Sequence, residues 1–172
     1  MANAKERDVL DEDDQFEEDE DSQKDKYLTF RIAEEEYGVE IACVLEIVTA
    51  QRITEVPDMP DYLKGVINLR GRVVPVIDVR ARFRLPARPY DDRTCFIVVQ
   101  LQDMSVGLVV DSVSDVLLIP GQQVSLPPKL TSGPASRYIK GMGRAGETVK
   151  ILLDVNKLLL DSETAQVGAL QP

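Results

Sequence analysis

Arginines at positions 70, 72, 80 and 82 surround an apolar stretch, "YLKGVINLRGRVVPVIDVRARF", in a chain whose formal net charge is −10. A guanidinium is a planar fork of donors that matches a carboxylate, a phosphate or backbone carbonyls. Such a set suits an anion site, a nucleic-acid finger or a docking surface for another protein. Asp78, Asp111, Asp115 and Asp154 are carboxylates of the kind used in acid–base or metal work. Gly141, Gly143 and Gly146 spell GxGxxG, the spacing that cradles a dinucleotide pyrophosphate.

Context removes most of this chemistry. The chain has no His, so Ser-His-Asp and Cys-His arrangements, His metal ligands and a phospho-His are all excluded. The glycine motif runs into strand-like "TVKILLDV", whereas a pyrophosphate site needs a helix there; its glycines read as turn residues. Asp78 and Asp154 each end an apolar strand before a short helical segment, where a carboxylate caps the helix. Cys43 and Cys95 form no CxxC motif and read as small buried hydrophobes, free thiols suited to a reducing cytoplasm. Asp11, Asp13 and Gln15 are spaced like the first ligands of a Ca²⁺ loop, but Phe16 and Ser22 stand where such a loop needs Gly and Glu. Neither metal nor cofactor is expected, and an enzyme is the weakest of the functional classes. Arg70 and Glu46 remain. Each is a charge set among apolar neighbours, with a recognition role as the alternative to a solvated one.

The charge is unevenly spread. Residues 1–26 hold 12 acids against 4 bases, and the rest hold 18 against 16. The folded part is near neutral, without the basic excess of a nucleic-acid binder. Residues 1–25 have too few apolar side chains to offset their ordering entropy, and read as a disordered acidic tail dispensable for folding. No apolar run is long enough for a transmembrane helix, and the acidic start does not read as a signal peptide. Aromatics are 5% and Trp is absent, so the core rests on Val, Leu and Ile, which favour strands.

From Tyr27 onward the chain reads as short strands with frequent breakers. "GVINL-RG-RVVPVIDV" is a hairpin turning at Arg70-Gly71, and Pro75 marks an edge position or a bulge. The segment Val44–Val48 suits either a strand or one helical turn. An internal repeat organises the rest. At a shift of 76 residues, Tyr62, Lys64, Gly65, Val73 and Asp78 fall on Tyr138, Lys140, Gly141, Val149 and Asp154. At a shift of 69, Gly38, Val44 and Glu46 fall on Gly107, Val113 and Asp115. Two similar halves, about 27–91 and 92–160, of about five strands each, suit two small closed barrels with a C-terminal tail at 161–172. Arg70 falls on Gly146, so the repeat itself does not demand an arginine there.

The "GVINLRG" hairpin, the "PVIDV" strand and the "VGLVVDSVSDV" segment together resemble the CheW family of bacterial chemotaxis coupling proteins. The resemblance covers about residues 26–160. It implies an all-β fold of two SH3-like five-stranded barrels related by pseudo-twofold symmetry, with the first strand able to pair with the second barrel. It implies a non-enzymatic adaptor that is cytoplasmic and recruited to membrane-associated chemoreceptor arrays. The partners implied are the regulatory domain of a CheA-type histidine kinase and the cytoplasmic tips of chemoreceptors. Family receptor contacts match Val44, Glu46, Gly65, Asn68, Arg70 and Gly71. Kinase contacts match Ile53, Leu126 and Leu130. The rival class is a double-barrel module binding a small ligand or nucleic acid, disfavoured by the near-neutral core and few aromatics.

Overall fold

The computed structural model describes residues 23–128, 133 and 135–159. The acidic stretch up to residue 22, the Asp11–Gln15 spacing, Leu130 and residues 160–172 lie outside the described residues. Eleven strands are described: β1 (Lys26–Ile32), β2 (Glu35–Glu40), β3 (Val44–Thr49), β4 (Leu63–Leu69), β5 (Arg72–Asp78), β6 (Cys95–Leu101), β7 (Met104–Val110), β8 (Ser112–Leu118), β9 (Val124–Ser125), β10 (Ile139–Ala145) and β11 (Thr148–Leu153). Two short helices, α1 (Val79–Arg82) and α2 (Val155–Leu159), follow β5 and β11. Asp78 caps α1 by accepting from the N–H groups of Arg80 and Ala81. Asp154 accepts from Lys157 N–H in the same way, so both repeat-related aspartates are helix caps.

Two sheets form, in the orders β3-β6-β7-β5-β4 and β8-β1-β2-β11-β10-β9. Each curls back on itself by the same device. Past β3 the chain reaches Thr54, which exchanges both backbone hydrogen bonds with Val66 of β4. Past β8 it reaches β9, which pairs with β10 at Met142 and Gly143. Closure leaves few exposed strand edges, which strands this apolar would otherwise present for aggregation.

The sheets do not divide the chain near residue 91. The hairpin β1–β2 of the first half joins the strands of the second half, with β2 parallel to β11, and β6–β7 joins the first half, with β7 parallel to β5. The halves exchange hairpins, which extends the expected sharing of the first strand to a reciprocal swap. The exchange places β1, β5, β6, β7 and β11 around one core. Phe30, Ile77, Ile97, Leu108 and Leu153 are all at most 2% exposed within a single cluster. Burying a side chain of this size is worth roughly 1.5–3 kcal/mol, so this shared core ties the two barrels together. Smaller clusters fill each barrel, with Ile67, Val74 and Phe96 in one and Tyr27, Ile119 and Leu152 in the other.

Details follow from backbone chemistry. Val44–Thr49 is a strand, not a helical turn. Val66 spends both backbone groups on Thr54, so Pro75 opposite it faces away from β4. The β5–β7 ladder begins only at Val76, so the missing proline N–H falls on a locally free edge. Cys43 and Cys95 are free and half-buried, more exposed than small core residues would be. Burial, aided by the Glu40 charge, pushes the Cys43 thiol up.

Candidate functional site

The β4–β5 turn is closed by two residues, Arg70 at φ +54° and Gly71 at φ +84°. A two-residue hairpin of this kind needs positive φ at both central positions, where Asn-Gly or Gly-Gly is preferred. Gly71 fits without cost. Arg70 does not, since a side chain in this region carries roughly 1–2 kcal/mol of strain. The repeat supplies an internal control: at the matching turn Gly146 adopts φ +65°. Asn68 Oδ1 accepts from Gly71 N–H at 2.9 Å and stiffens the tip.

Glu46 is brought opposite by an irregularity in β3. Val44 pairs with Val99 and Glu46 with Val98, so Leu45 is an extra residue, a bulge that re-aims the next side chain. Arg70 Nη1 donates to Glu46 Oε2 at 2.7 Å, with the arginine side chain 77% exposed and the glutamate 25%. Glu46 Oε1 is buried and makes no hydrogen bond among the described residues. Beneath the pair lies a groove of about 70 Å³ with Leu45, Leu69, Val74 and Val98 on its walls. Leu45 and Ile47 point outward from β3 and are 48% and 42% exposed. Leu45 and Leu69 are the residues that sequence reasoning missed here. The alternation of β3 marks Leu45 as outward-facing, but nothing local reveals the bulge.

The second barrel repeats the backbone and changes the chemistry. Its bulge lies between Thr29 and the β8 residues Ser114 and Asp115, where Thr29 Oγ1 and Asp115 exchange hydrogen bonds. The Asp115 carboxylate folds onto Val116 N–H, and the arginine position is Gly146. Among the described residues only the first barrel's hairpin tip presents an ion pair over an apolar groove.

The other proposed contact residues separate. Val44 is half-buried against the shared core. Gly65 is buried where Thr54 crosses β4, and a Cβ there would lie 2.0 Å from Thr54 O. Ile53 is half-buried against the first barrel's own cluster. Leu126 follows β9 on the second barrel and is 84% exposed. Among the described residues no group of three or more His, Cys, Asp or Glu side chains could hold a metal ion. Asp111 serves an ion pair instead, with Arg80 Nε at 2.8 Å.

A family model described as a CheW-like domain matches residues 26–163. The chain belongs to the CheW-like family. A chemotaxis protein CheW of Klebsiella aerogenes is 41% identical over 142 residues, 83% of this chain and 86% of that protein. CheW of Bacillus subtilis is 32% identical over 142 residues, 83% of this chain and 90% of the relative. A crystal structure of the scaffolding protein TtCheW from Thermoanaerobacter tengcongensis matches with a TM-score of 0.74 at 31% identity, over 81% of this chain and 94% of that one. The closed double barrel is therefore the CheW fold, and the chain is a member of a chemotaxis scaffold family. No helix among the described residues is long and apolar enough to cross a membrane.

Proposed function

We propose that this protein is a non-enzymatic adaptor that binds chemoreceptor cytoplasmic tips and the regulatory domain of a CheA-type histidine kinase together. It works in the cytoplasm at membrane-associated receptor arrays and holds the kinase where receptor state biases its activity. The observation that carries the reading is Arg70: a strained, exposed arginine on a hairpin tip whose repeat counterpart is an unstrained glycine. Strain held at one of two equivalent turns, with an ion pair over an apolar groove, marks a surface kept for recognition. Glu46, Asn68 and Gly71 surround or support that tip, Val44 precedes the Leu45 bulge that aims Glu46, and Gly65 acts through the backbone. Ile53 and Leu126 occupy matching ends of the two barrels, and with Leu130 are the kinase contacts of this reading.

The test uses Arg70→Gly. Glycine relieves the strained φ, so the melting temperature should hold or rise, the lost exposed ion pair being worth at most about 1 kcal/mol. Receptor-fragment affinity should fall, by roughly tenfold or more if the arginine is an anchor. Unchanged affinity together with unchanged kinase activation removes the assignment.

A second expectation concerns simultaneous binding. Receptor and kinase use different surfaces here, so saturating receptor fragment should leave the kinase domain bound. Ile53→Asp or Leu126→Asp should weaken the kinase by roughly 1–3 kcal/mol and spare the receptor. A competition titration decides: displacement of the kinase domain by receptor fragment means one shared surface and no adaptor.

A further inference from the structure

The ladders β1–β8, β2–β11, β3–β6 and β5–β7 all join a strand of the first half to a strand of the second. The same ladders form whether the two halves belong to one chain or to two, so they do not by themselves set the number of chains. The connection between the halves does. It is residues 84–94, a strap without helix or strand. The strap is fastened back onto the barrel it has just left. Arg80 Nη1 donates to Pro86 O at 2.8 Å. Arg88 lies 3.4 Å from Asp111 and donates to Asp91 at 2.8 Å. Tyr90 OH donates to Asp78 Oδ2 at 3.0 Å, and its ring meets that of Phe96 edge-on at 6.4 Å. Tyr90 therefore holds the cap of α1 in the first half and a core residue of β6 in the second at once.

The far end of the strap is fixed as well. Asp91 Oδ1 accepts from the N–H groups of Arg93 and Thr94, and Thr94 O accepts from Ala50 N–H at 3.0 Å, which seats the start of β6 beside β3. With the latches closed, residues 91–93 alone separate Tyr90 from Thr94. They amount to ~10 Å of extended chain, and the Asp91 hydrogen bonds already wind them into a turn. That is too short to carry β6 to another molecule. With the latches open, the eleven residues 84–94 span up to ~36 Å. Arg84, at the head of the strap, is held at φ +58°, and strain in a connecting loop favours its opening.

We propose that this strap is a lock that keeps the hairpin exchange within one chain, and that its release lets the second half of one copy pair with the first half of another as a domain-swapped dimer. The swapped dimer remakes the four ladders between chains and differs from two monomers only at the strap. Each of its double barrels is closed as in the monomer, so one particle carries two copies of every outer surface. Tethering favours the single chain at an effective concentration of about millimolar, and the latches add to that preference by fixing the path of the tether.

The test refolds the full chain from urea at about 1 mM, where tethered and free pairing compete, and measures the dimer-to-monomer ratio by light scattering after size exclusion. The parent is compared with Arg88→Gln combined with Tyr90→Phe, which opens two latches. The ratio should be at least about tenfold higher in the double variant, since each latch bonds a charged group. Exchange is then read from Lys140 and Glu40, which pair across the two halves. A carbodiimide joins that amine to that carboxylate. Light and heavy-isotope chains refolded together should give mixed-isotope Lys140–Glu40 crosslinks in the dimer fraction. Thermal melts confirm the fold, and if the double variant does not fold, Tyr90→Phe alone, which loses one hydroxyl, is held to the same two criteria. A ratio equal to the parent's overturns the proposal. So does a dimer whose Lys140–Glu40 crosslinks join only chains of one isotope, because its halves are then paired within each chain.

Discussion

Gly65→Ala should unfold the protein or cost it about 3–5 kcal/mol, the largest stability loss expected from any glycine here. The cause is the closure of the first barrel. Thr54 N donates to Val66 O at 2.8 Å and Val66 N donates to Thr54 O at 2.9 Å, which presses the crossing segment onto β4. A Cβ at residue 65 would stand 2.0 Å from Thr54 O and 2.9 Å from Ile53 Cγ2, and φ there is +141°. The nearest atom is backbone, so no rotamer change relieves the clash. The strand must leave β4, and the barrel opens. Gly141 holds the equivalent place in the second barrel, yet its Cβ would meet Val124 Cγ1 at 2.8 Å, with Ser125 O at 3.1 Å. A side-chain methyl can turn aside, so Gly141→Ala should cost less, about 1–3 kcal/mol. Gly71→Ala meets nothing within 4 Å and carries only the left-handed strain, about 1–2 kcal/mol. Thermal melts of the three variants should rank them in that order. A Gly65→Ala chain as stable as Gly71→Ala would mean that the Thr54 crossing does not hold the barrel shut.

The repeat that leads to this comparison is visible in the sequence because identical glycines and aspartates recur at fixed shifts. The exchange of hairpins is not. Shifts of 69 and 76 residues state which strands are equivalent, but not which are paired. β1–β2 buries the same apolar face whether it packs against its own half or the other. The decision lies in the parallel contacts β2·β11 and β5·β7, which join residues 114 and 31 positions apart and leave no local mark. Glu46 and Arg70 are legible one at a time, as charges among apolar neighbours. Their pairing depends on a one-residue bulge at Leu45, which no propensity signals. The helix caps Asp78 and Asp154 are fully legible because a cap is a local interaction. Asp111 belongs to the opposite class, and its partner emerges only from the fold.

Arg80→Leu should destabilise the protein by about 3–5 kcal/mol at neutral pH, although neither member of the broken pair touches the proposed partner surface. Arg80 Nε and Nη2 donate to the two Asp111 oxygens at 2.8 and 2.9 Å, a bidentate geometry, and its Nη1 donates to Pro86 O. The side chains are 15% and 8% exposed. Asp111 also accepts from Ala33 N–H at 2.8 Å, so one carboxylate joins α1, the β1–β2 turn and the end of β7. Burial alone pushes the Asp111 carboxyl up. Hydrogen bonds from Arg80 and Ala33, with the Arg80 and Arg88 charges, outweigh it and hold the group below its ordinary value. A carboxyl depressed on folding stabilises the native state above its unfolded pKa of about 4, and that stability is lost as pH falls through the lower folded value. Removing Arg80 leaves the buried carboxylate with the more exposed Arg88 guanidinium, 3.4 Å away, as its remaining counter-charge among the described residues, which raises its pKa from the depressed value. The gap in stability between the parent and Arg80→Leu should therefore be widest near pH 7 and close progressively below about pH 5. Adding Asp111→Asn keeps an acceptor for Ala33 N–H while removing the stranded charge, and should recover at least about 1 kcal/mol of the loss. Urea titrations of the parent, the single variant and the double variant at pH 7 and near pH 4 test all three statements. A gap independent of pH would mean that Arg80 acts by packing its aliphatic stem, and that the charge pair contributes nothing to holding the exchanged hairpins together.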